Sequence, residues 1–475
     1  MKPSNFSAHF SMSTNHATND TITAIATPIG QAGIGIIRMS GSKSKKIAGK
    51  IFKPKRPVKS LQSHRLYLGQ LIDPSTGCAI DEVLLSFMKA PSSYTREDVV
   101  EIHSHSGYLL LSRILQILIE DGARLAKPGE FTFRAFINGR IDLTQAEAIV
   151  DLINSKSERG LQLASRQISG IFRSEIESLR QKVIEILSYA EVAIDFPEEE
   201  NEIINRNKIA GRLDSELIGP IEKILTAYSQ RRIWVDGIKT VIVGRVNVGK
   251  SSLLNRLLNE QRAIVTPIPG TTRDIIEATV TIEGLPLRLM DTAGFRKVKG
   301  EVEKAGINLA KQKLAEADLL LIIIDQSRPL NEEDLSIISK SKNRKKLIII
   351  NKIDIPSKLD EEDLKRVISK QEPMVRISAL TGEGIGYLQK AIRDLLITDD
   401  VDTSPDLAPN LRHKEALLKA SGYFKKAVIN LNGGLPMEII SADLNAGLKS
   451  LGEIIGKTPH EEILDSIFSN FCLGK

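Results

Sequence analysis

The run Gly244, Arg245, Val246, Asn247, Val248, Gly249, Lys250, Ser251, Ser252 sets glycines, a primary amine and hydroxyls at the spacing of a phosphate loop. It follows the apolar stretch TVIV and leads into SSLLNRLL, the strand-to-helix setting that such a loop requires. Glycine lets the backbone N–H groups turn toward an anion, and the start of the helix adds its positive end to the same charge. Lys250 is then expected to reach the outer phosphates of a nucleotide and serve catalysis, and the Ser251 hydroxyl to ligate Mg²⁺.

Further segments, in chain order, say which nucleotide. Thr266, Pro267, Ile268, Pro269, Gly270, Thr271 and Thr272 form a polar stretch whose threonines are placed to close over a γ-phosphate, with Thr272 a second Mg²⁺ ligand. Asp291, Thr292, Ala293 and Gly294 end the strand-like LRLM, so the carboxylate can hold the metal through water and the Gly294 N–H can meet the phosphate. Asn351, Lys352, Ile353 and Asp354 follow LIII; a carboxylate there accepts from N1–H and N2–H₂ of guanine, a donor pair that adenine lacks. Ser378, Ala379 and Leu380 are similar to the segment whose backbone N–H meets guanine O6. Together these imply binding and hydrolysis of GTP. Many such enzymes place a water-orienting glutamine after the glycine of the aspartate segment, but Phe295 stands there, so hydrolysis must borrow a cation, a distant carboxylate or a partner's group.

These residues need scaffolds. At 475 residues the chain exceeds one core, and roughly two to four domains are expected. Residues 1–20 read as a disordered tail with no secretory signal, and 21–140 as an α+β domain of short strands with a helix over Tyr108–Glu120. Residues 141–235 read as helical, with Ile176, Leu179, Val183, Ile186, Ala190 and Ile194 forming a core stripe and the acidic DFPEEE ending one helix. From 236 to 397 strands and helices alternate, which argues for a mostly parallel sheet covered by helices; 398–475 return to helical periodicity after a proline-containing link. The expected fold is therefore multidomain α/β, with the nucleotide domain inserted between helical parts that can pack together.

The composition is that of a cytoplasmic protein: 41% hydrophobic, 26% charged and without an apolar run long enough to span a membrane. A net charge of +6 is compatible with an anionic partner, while only 4% aromatic residues leave little for a base-stacking platform. Cys78 and Cys472 form neither a disulfide framework nor a zinc motif, and Cys78 falls in a hairpin turn without a role. His103 and His105 alternate as metal ligands could, but no third ligand accompanies them, and hydrogen-bonding roles are expected.

From Thr21 to Lys475 the chain resembles the tRNA modification GTPase family MnmE, also called TrmE. The resemblance rests on DTITAIATP, GIGIIRMSG, YTREDVVEIHSHSG, KPGEFTFRAFINGRIDLTQAEAIVDLI, the nucleotide motifs and the terminal FCLGK. It implies an N-terminal folate-binding and dimerising domain, a helical domain in two parts and an inserted GTPase domain. It implies that a carboxymethylaminomethyl or aminomethyl group is added at carbon 5 of the wobble uridine (position 34) of certain tRNAs. The expected assembly is a homodimer joined in a heterotetramer with the FAD-dependent protein MnmG, which alone holds FAD. The one-carbon donor is 5,10-methylenetetrahydrofolate, with 5-formyltetrahydrofolate as an analogue. The resemblance further assigns K⁺ to Asn247, Thr266, Ile268 and Thr271, water orientation to Glu303, and folate contacts to Arg38, Glu101, Arg140 and Lys475. Cys472 is open to a nucleophilic or proton-transfer role, or to being an inert buried thiol. The alternative, a ribosome-assembly GTPase switch, shares the nucleotide motifs but gives no reason for the folate segments or FCLGK.

Overall fold

The computed structural model describes residues 20–28, 30, 32–196, 205–260, 277–290, 316–341, 344–368, 372–397, 407, 409–457 and 461–475. They form two compact units that interleave along the chain. One takes residues up to Val150, Ile168–Leu217 and Lys419–Lys475; the other takes Asp151–Gln167 and Ile218–Leu418.

In the first unit, β1 (Ile22–Ile25), β2 (Gly35–Ser40), β3 (Phe52–Pro54), β4 (Arg65–Ile72), β5 (Ala79–Met88), β6 (Val99–Ser104) and β7 (Arg124–Leu125) form one sheet in the order β3-β4-β5-β6-β2-β1-β7. All pairs are antiparallel except β1 with β7. Val83, Leu85 and Phe87 alternate inward along β5, as a strand with one solvated face requires. Leu111, Ile114, Ile117 and Leu118, at helical spacing on Tyr108–Glu120, cover that face together with Ile47 and Ile51.

The helical part of this unit brings distant sequence together. Helix Ile171–Asp195 buries Ile176, Leu179, Val183, Ile186 and Ala190 and packs against Met437–Ile455, so helices from both sides of the nucleotide segment share a core. Ile194, the last residue of the expected stripe, is half-buried, and Ala193 is buried beside it. The run 209–232 is read from sequence as one helix, but here Arg206–Arg212 passes through a wider π-helical turn, Leu213–Ile218, into Gly219–Arg231. Phe468, on Glu461–Phe468, lies edge-on to Phe133 at 5.2 Å and stacks on Phe471 at 5.6 Å, tying the C-terminal segment to helix Glu130–Ile137.

The second unit is built on β8 (Ile238–Val243), β9 (Glu277–Ile282), β10 (Leu285–Met290), β11 (Leu319–Asp325), β12 (Lys346–Asn351) and β13 (Met374–Arg376), in the order β13-β12-β11-β8-β10-β9. Every pair is parallel except the β9–β10 edge hairpin. Every residue of β11 and β12 is buried, which is why both read as unbroken apolar runs and not as alternating ones. Among the described residues no helix is long and apolar enough to cross a membrane.

Candidate functional site

The loop 244–249 leaves the C-terminal end of β8 and enters helix Lys250–Glu260. Asn247 adopts φ +66°, a left-handed conformation that asparagine tolerates better than most residues. Gly249 adopts φ +103°, and a Cβ there would lie 2.2 Å from Asn351 Nδ2, so backbone and neighbour both demand glycine. The Lys250 ammonium donates to the carbonyls of Gly244 and Arg245, each at 2.6 Å, which holds the amine inside the loop. Ser251 and Ser252 are exposed at the helix start, where backbone N–H groups have no intrahelical partner. A loop of this kind fits a phosphate group: N–H groups, a helix N-terminus and a cation converge on it.

Asn351 ties this loop to the segments expected to read the base. Its Nδ2 donates to Val248 O at 2.7 Å, and its Oδ1 accepts from Ala379 N at 2.9 Å. Arg256, from the helix after the loop, donates to the carbonyls of Ala379 and Leu380. Ser378 Oγ accepts from Thr381 N at 3.1 Å, closing the turn. Lys352 has φ +69° and its ammonium lies 2.6 Å from Asp325 Oδ2 at the end of β11. Burial pushes the Asp325 carboxyl up, but hydrogen bonds from Lys352 and Ser327 outweigh it and hold the group below the usual carboxylate range. Ile353 donates its N–H to Ile377 O, and Asp354 is exposed beyond it.

The structure thus brings Asn247, Val248, Gly249, Lys250, Ser251, Ser252, Asn351, Lys352, Ile353, Asp354, Ser378, Ala379 and Leu380 to the C-terminal ends of β8, β12 and β13, where open α/β sheets bind ligands. Thr266, Pro267, Ile268, Pro269, Gly270, Thr271, Thr272, Asp291, Thr292, Ala293, Gly294 and Glu303 lie outside the described residues. Sequence reasoning passed over Arg256, and also Arg245, whose Nε lies 3.0 Å from the buried Asp334 carboxylate. Burial pushes that carboxyl up, against the pull of Arg245 and of the Asn331 N–H that it caps.

A second cluster lies in the first unit. Arg38 and Glu101 are register partners on β2 and β6, and Arg38 Nε donates to Glu101 Oε1 at 2.8 Å. Arg38 also donates to Gly474 O at 3.2 Å. Gly474 is at φ +87°, and a Cβ there would meet Ile25 O at 2.5 Å, so this glycine lets the C-terminal segment lie on β1. Lys475 O accepts from Phe131 N at 3.2 Å, and Cys472 is exposed one turn earlier, which removes the buried-thiol reading. Arg140 lies over the Tyr94 ring at 5.0 Å and Arg38 at 5.8 Å from the same centroid. Burial pushes the Tyr94 phenol up despite both guanidiniums and a hydrogen bond to Thr132. Tyr94 was missed in the sequence, where only YTRED in a loop marked it. The two guanidiniums fit an anionic ligand, and Glu101 offers an acceptor beside them. His103 Nε2 lies 3.5 Å from Glu101 Oε2, while His105 Nδ1 bonds Asp81 at 2.8 Å, so the alternating pair serves two separate carboxylates. Among the described residues no cluster has the make-up of a metal site.

A parallel sheet with a strand–phosphate loop–helix at its switch point and an asparagine lacing that loop to the neighbouring strand ends defines a P-loop domain of GTPase type. The chain also matches the family descriptions "GTP-binding protein TrmE N-terminus" over residues 21–140 and "MnmE helical domain" over 143–472. It is 45% identical over 96% of its length, and 99% of the relative's, to a tRNA modification GTPase MnmE of Thermoanaerobacter pseudethanolicus. It is 43% identical over the same shares to one of Geobacillus kaustophilus. Among solved structures it is similar to an Era variant of Aquifex aeolicus bound to GDP and AlF4⁻, at 28% identity, covering 40% of this chain and 66% of that one, with a TM-score of 0.28. That last overlap is too loose to bear on the assignment. The chain belongs to the MnmE (TrmE) family.

Proposed function

We propose that this protein is a GTP hydrolase that modifies tRNA, adding a carboxymethylaminomethyl or aminomethyl group at carbon 5 of the wobble uridine together with an FAD-dependent partner of the MnmG kind. The observation that carries it is Asn351, which laces the phosphate loop to the Ser378–Leu380 segment and so supports one pocket for phosphate and base. Lys250 and the loop N–H groups bind the phosphates, and Asp354 selects guanine. Ser251 and Thr272 would hold Mg²⁺, with Asp291 contributing through water; Mg²⁺ when bound would neutralise charge on the phosphoryl oxygens. Asn247, Thr266, Ile268 and Thr271 hold K⁺, and Glu303 orients the water that Phe295 cannot. The left-handed Asn247 supports its part, since that conformation turns its peptide within the loop.

Arg38, Glu101, Arg140 and Lys475 form the tetrahydrofolate site, supported by the shared Tyr94 ring between the guanidiniums. Cys472, exposed and near that site's Gly474, acts as nucleophile or proton carrier at the one-carbon step. The domains follow 21–140, 141–235, 236–397 and 398–475, and the protein works as a cytoplasmic homodimer and in a heterotetramer with its flavoprotein partner. GTP hydrolysis drives rearrangement of loops and domains, not bond formation at uridine. The Arg38–Glu101–Gly474 arrangement favours this over a ribosome-assembly switch, which has no use for it. Mass spectrometry of tRNA nucleosides from cells lacking the protein tests the reading: wobble uridines should lose their carbon-5 substituent, and unchanged nucleosides would overturn it.

A further inference from the structure

The second unit has a concave site far from the nucleotide loop. A cavity of about 790 Å³ opens where Gly237 and Ile238 begin β8, Ala317 and Asp318 lead into β11, and Arg344 and Lys345 lead into β12. These are the N-terminal ends of parallel strands, so the cavity and the phosphate loop occupy opposite poles of one sheet, roughly 20 Å apart for strands of this length. Among the described residues its wall is cationic: Arg232, Lys340, Arg344, Lys345 and Lys414 line it, with Asp318 the one carboxylate.

That carboxylate is already engaged. One oxygen of Asp318 bonds Arg232 at 2.7 Å and the other accepts from Lys239 N at 3.0 Å. Among the described residues no ion pair involves Lys340, Lys345 or Lys414, and the Lys414 ammonium sits over the Tyr228 ring at 4.4 Å. Lys340 and Lys345 are exposed on flexible four-carbon stems, unlike the buried, geometrically fixed donors that grip a small anion. Several hydrated cations spread along a hollow match the repeating charge of a nucleic-acid backbone. The scarcity of aromatic residues, 4% of the chain, points the same way, to phosphate contacts in place of base stacking.

We infer that this basic hollow is a docking site for the phosphodiester backbone of tRNA, at the pole of the second unit's sheet opposite the GTP pocket. The inference rests on the tRNA reading above and adds where the RNA is held. The contacts are to backbone, so they fix position and carry no sequence preference.

The test uses the full chain, purified tRNA and a Lys340→Ala/Lys345→Ala/Lys414→Ala variant, with affinity measured by fluorescence anisotropy across KCl concentrations. Each lost phosphate contact should flatten the slope of log K against log salt by about 0.7 to 0.9, so the triple variant should flatten it by about 2 to 3. GTP turnover should be unchanged, which also shows that the variant is folded; each single variant should flatten the slope by about one contact. Unchanged slope and affinity in all four variants overturn the site. Equal weakening in a Lys365→Ala/Arg366→Ala control, on the outer helix Glu361–Val367, overturns it too, because the effect is then only net charge. Calorimetry with pyrophosphate, the phosphate loop first saturated with GDP, is the third arm: loss of its binding with tRNA binding intact refutes the RNA assignment. If wobble uridines from deletion cells keep their carbon-5 substituent while the slope still flattens in the variants, the modification reading fails and this docking site stands.

Discussion

Asn351→Ala is the sharpest probe of the nucleotide pocket. The side chain is 2% exposed and satisfies two buried backbone groups, Val248 O and Ala379 N. Each group left without a partner costs about 1 to 3 kcal/mol, so the truncation should cost about 2 to 6 kcal/mol in total. These bonds exist without nucleotide, so part of the loss appears as stability. At about 2 to 4 °C per kcal/mol for a unit of this size, the nucleotide-free melting temperature would fall by about 4 to 24 °C if all of the loss did so, and by less in proportion to the share. The share that appears as affinity counts tenfold per about 1.4 kcal/mol, so about 2 kcal/mol of it would weaken GDP binding about 30-fold. Asn351→Asp separates the two bonds: it keeps the acceptor for Ala379 N but sets a carboxylate oxygen against Val248 O. It should therefore weaken binding through the phosphate loop while the Ser378–Leu380 turn stays in place. Differential scanning fluorimetry and fluorescent-GDP titration read both effects. Unchanged melting and unchanged GDP affinity in Asn351→Ala would refute the lacing argument.

Gly249→Ala should abolish GDP binding in the same titration, because its Cβ collides with Asn351 Nδ2 on a left-handed backbone; wild-type affinity would sink the claim. GTP turnover should be faster in K⁺ than in Na⁺ at equal ionic strength, and Asn247→Ala should bring the two rates together; equal wild-type rates count against the cation assignment. Arg38→Ala should weaken binding of 5-formyltetrahydrofolate at least tenfold by calorimetry while leaving GTP turnover alone, and unaltered binding would remove Arg38 from that site. In Asp20 and Glu130, burial pushes the carboxyls up, but Arg124 and Arg134 outweigh it and hold both below their ordinary values. Depressed folded values stabilise the fold above the unfolded values, about 3.9 and 4.3, and the gain is lost as pH falls through the folded ones. Urea midpoints should thus drop between pH 5 and pH 3, and a flat profile would contradict the Arg134 network.

What was legible in the sequence was local. A phosphate loop is contiguous, so TVIV, Gly249, Lys250 and SSLLNRLL announce strand, turn and helix in order, and the buried runs of β11 and β12 announce a parallel sheet. Helix Tyr108–Glu120 was readable to its ends because Gly107 precedes it and its apolar residues keep one period. The rest depends on pairings the chain does not spell out. Arg38 and Glu101 meet only because β2 and β6 are neighbours in register, 63 residues apart, and Gly474 joins them from 436 residues away. Tyr94 comes from a loop with no periodicity to mark it. The π-helical turn at 213–218 keeps its apolar residues in phase, so periodicity read through it as continuous helix although Gly219 and Pro220 directly follow it. The switch stretch, the aspartate segment and Glu303 lie outside the described residues.

The tethers also say where the proposed cation dependence should fall. The phosphate loop is held from three directions: Asn351 from β12, Arg245 through Asp334 at the start of helix Glu332–Lys340, and Lys250 across its own carbonyls. Arg256 holds the Ser378–Leu380 segment from behind. Groups fixed before the nucleotide arrives contribute to binding substrate and product alike, and uniform binding of that kind lowers KM without raising kcat. Turnover must then be limited by a group that the tethered loop does not supply, and Phe295 marks the missing water-orienting glutamine. A cation recruited at Asn247, as proposed, should therefore act on kcat, with GDP affinity little changed between K⁺ and Na⁺, which separates it from a cation that merely screens the phosphates.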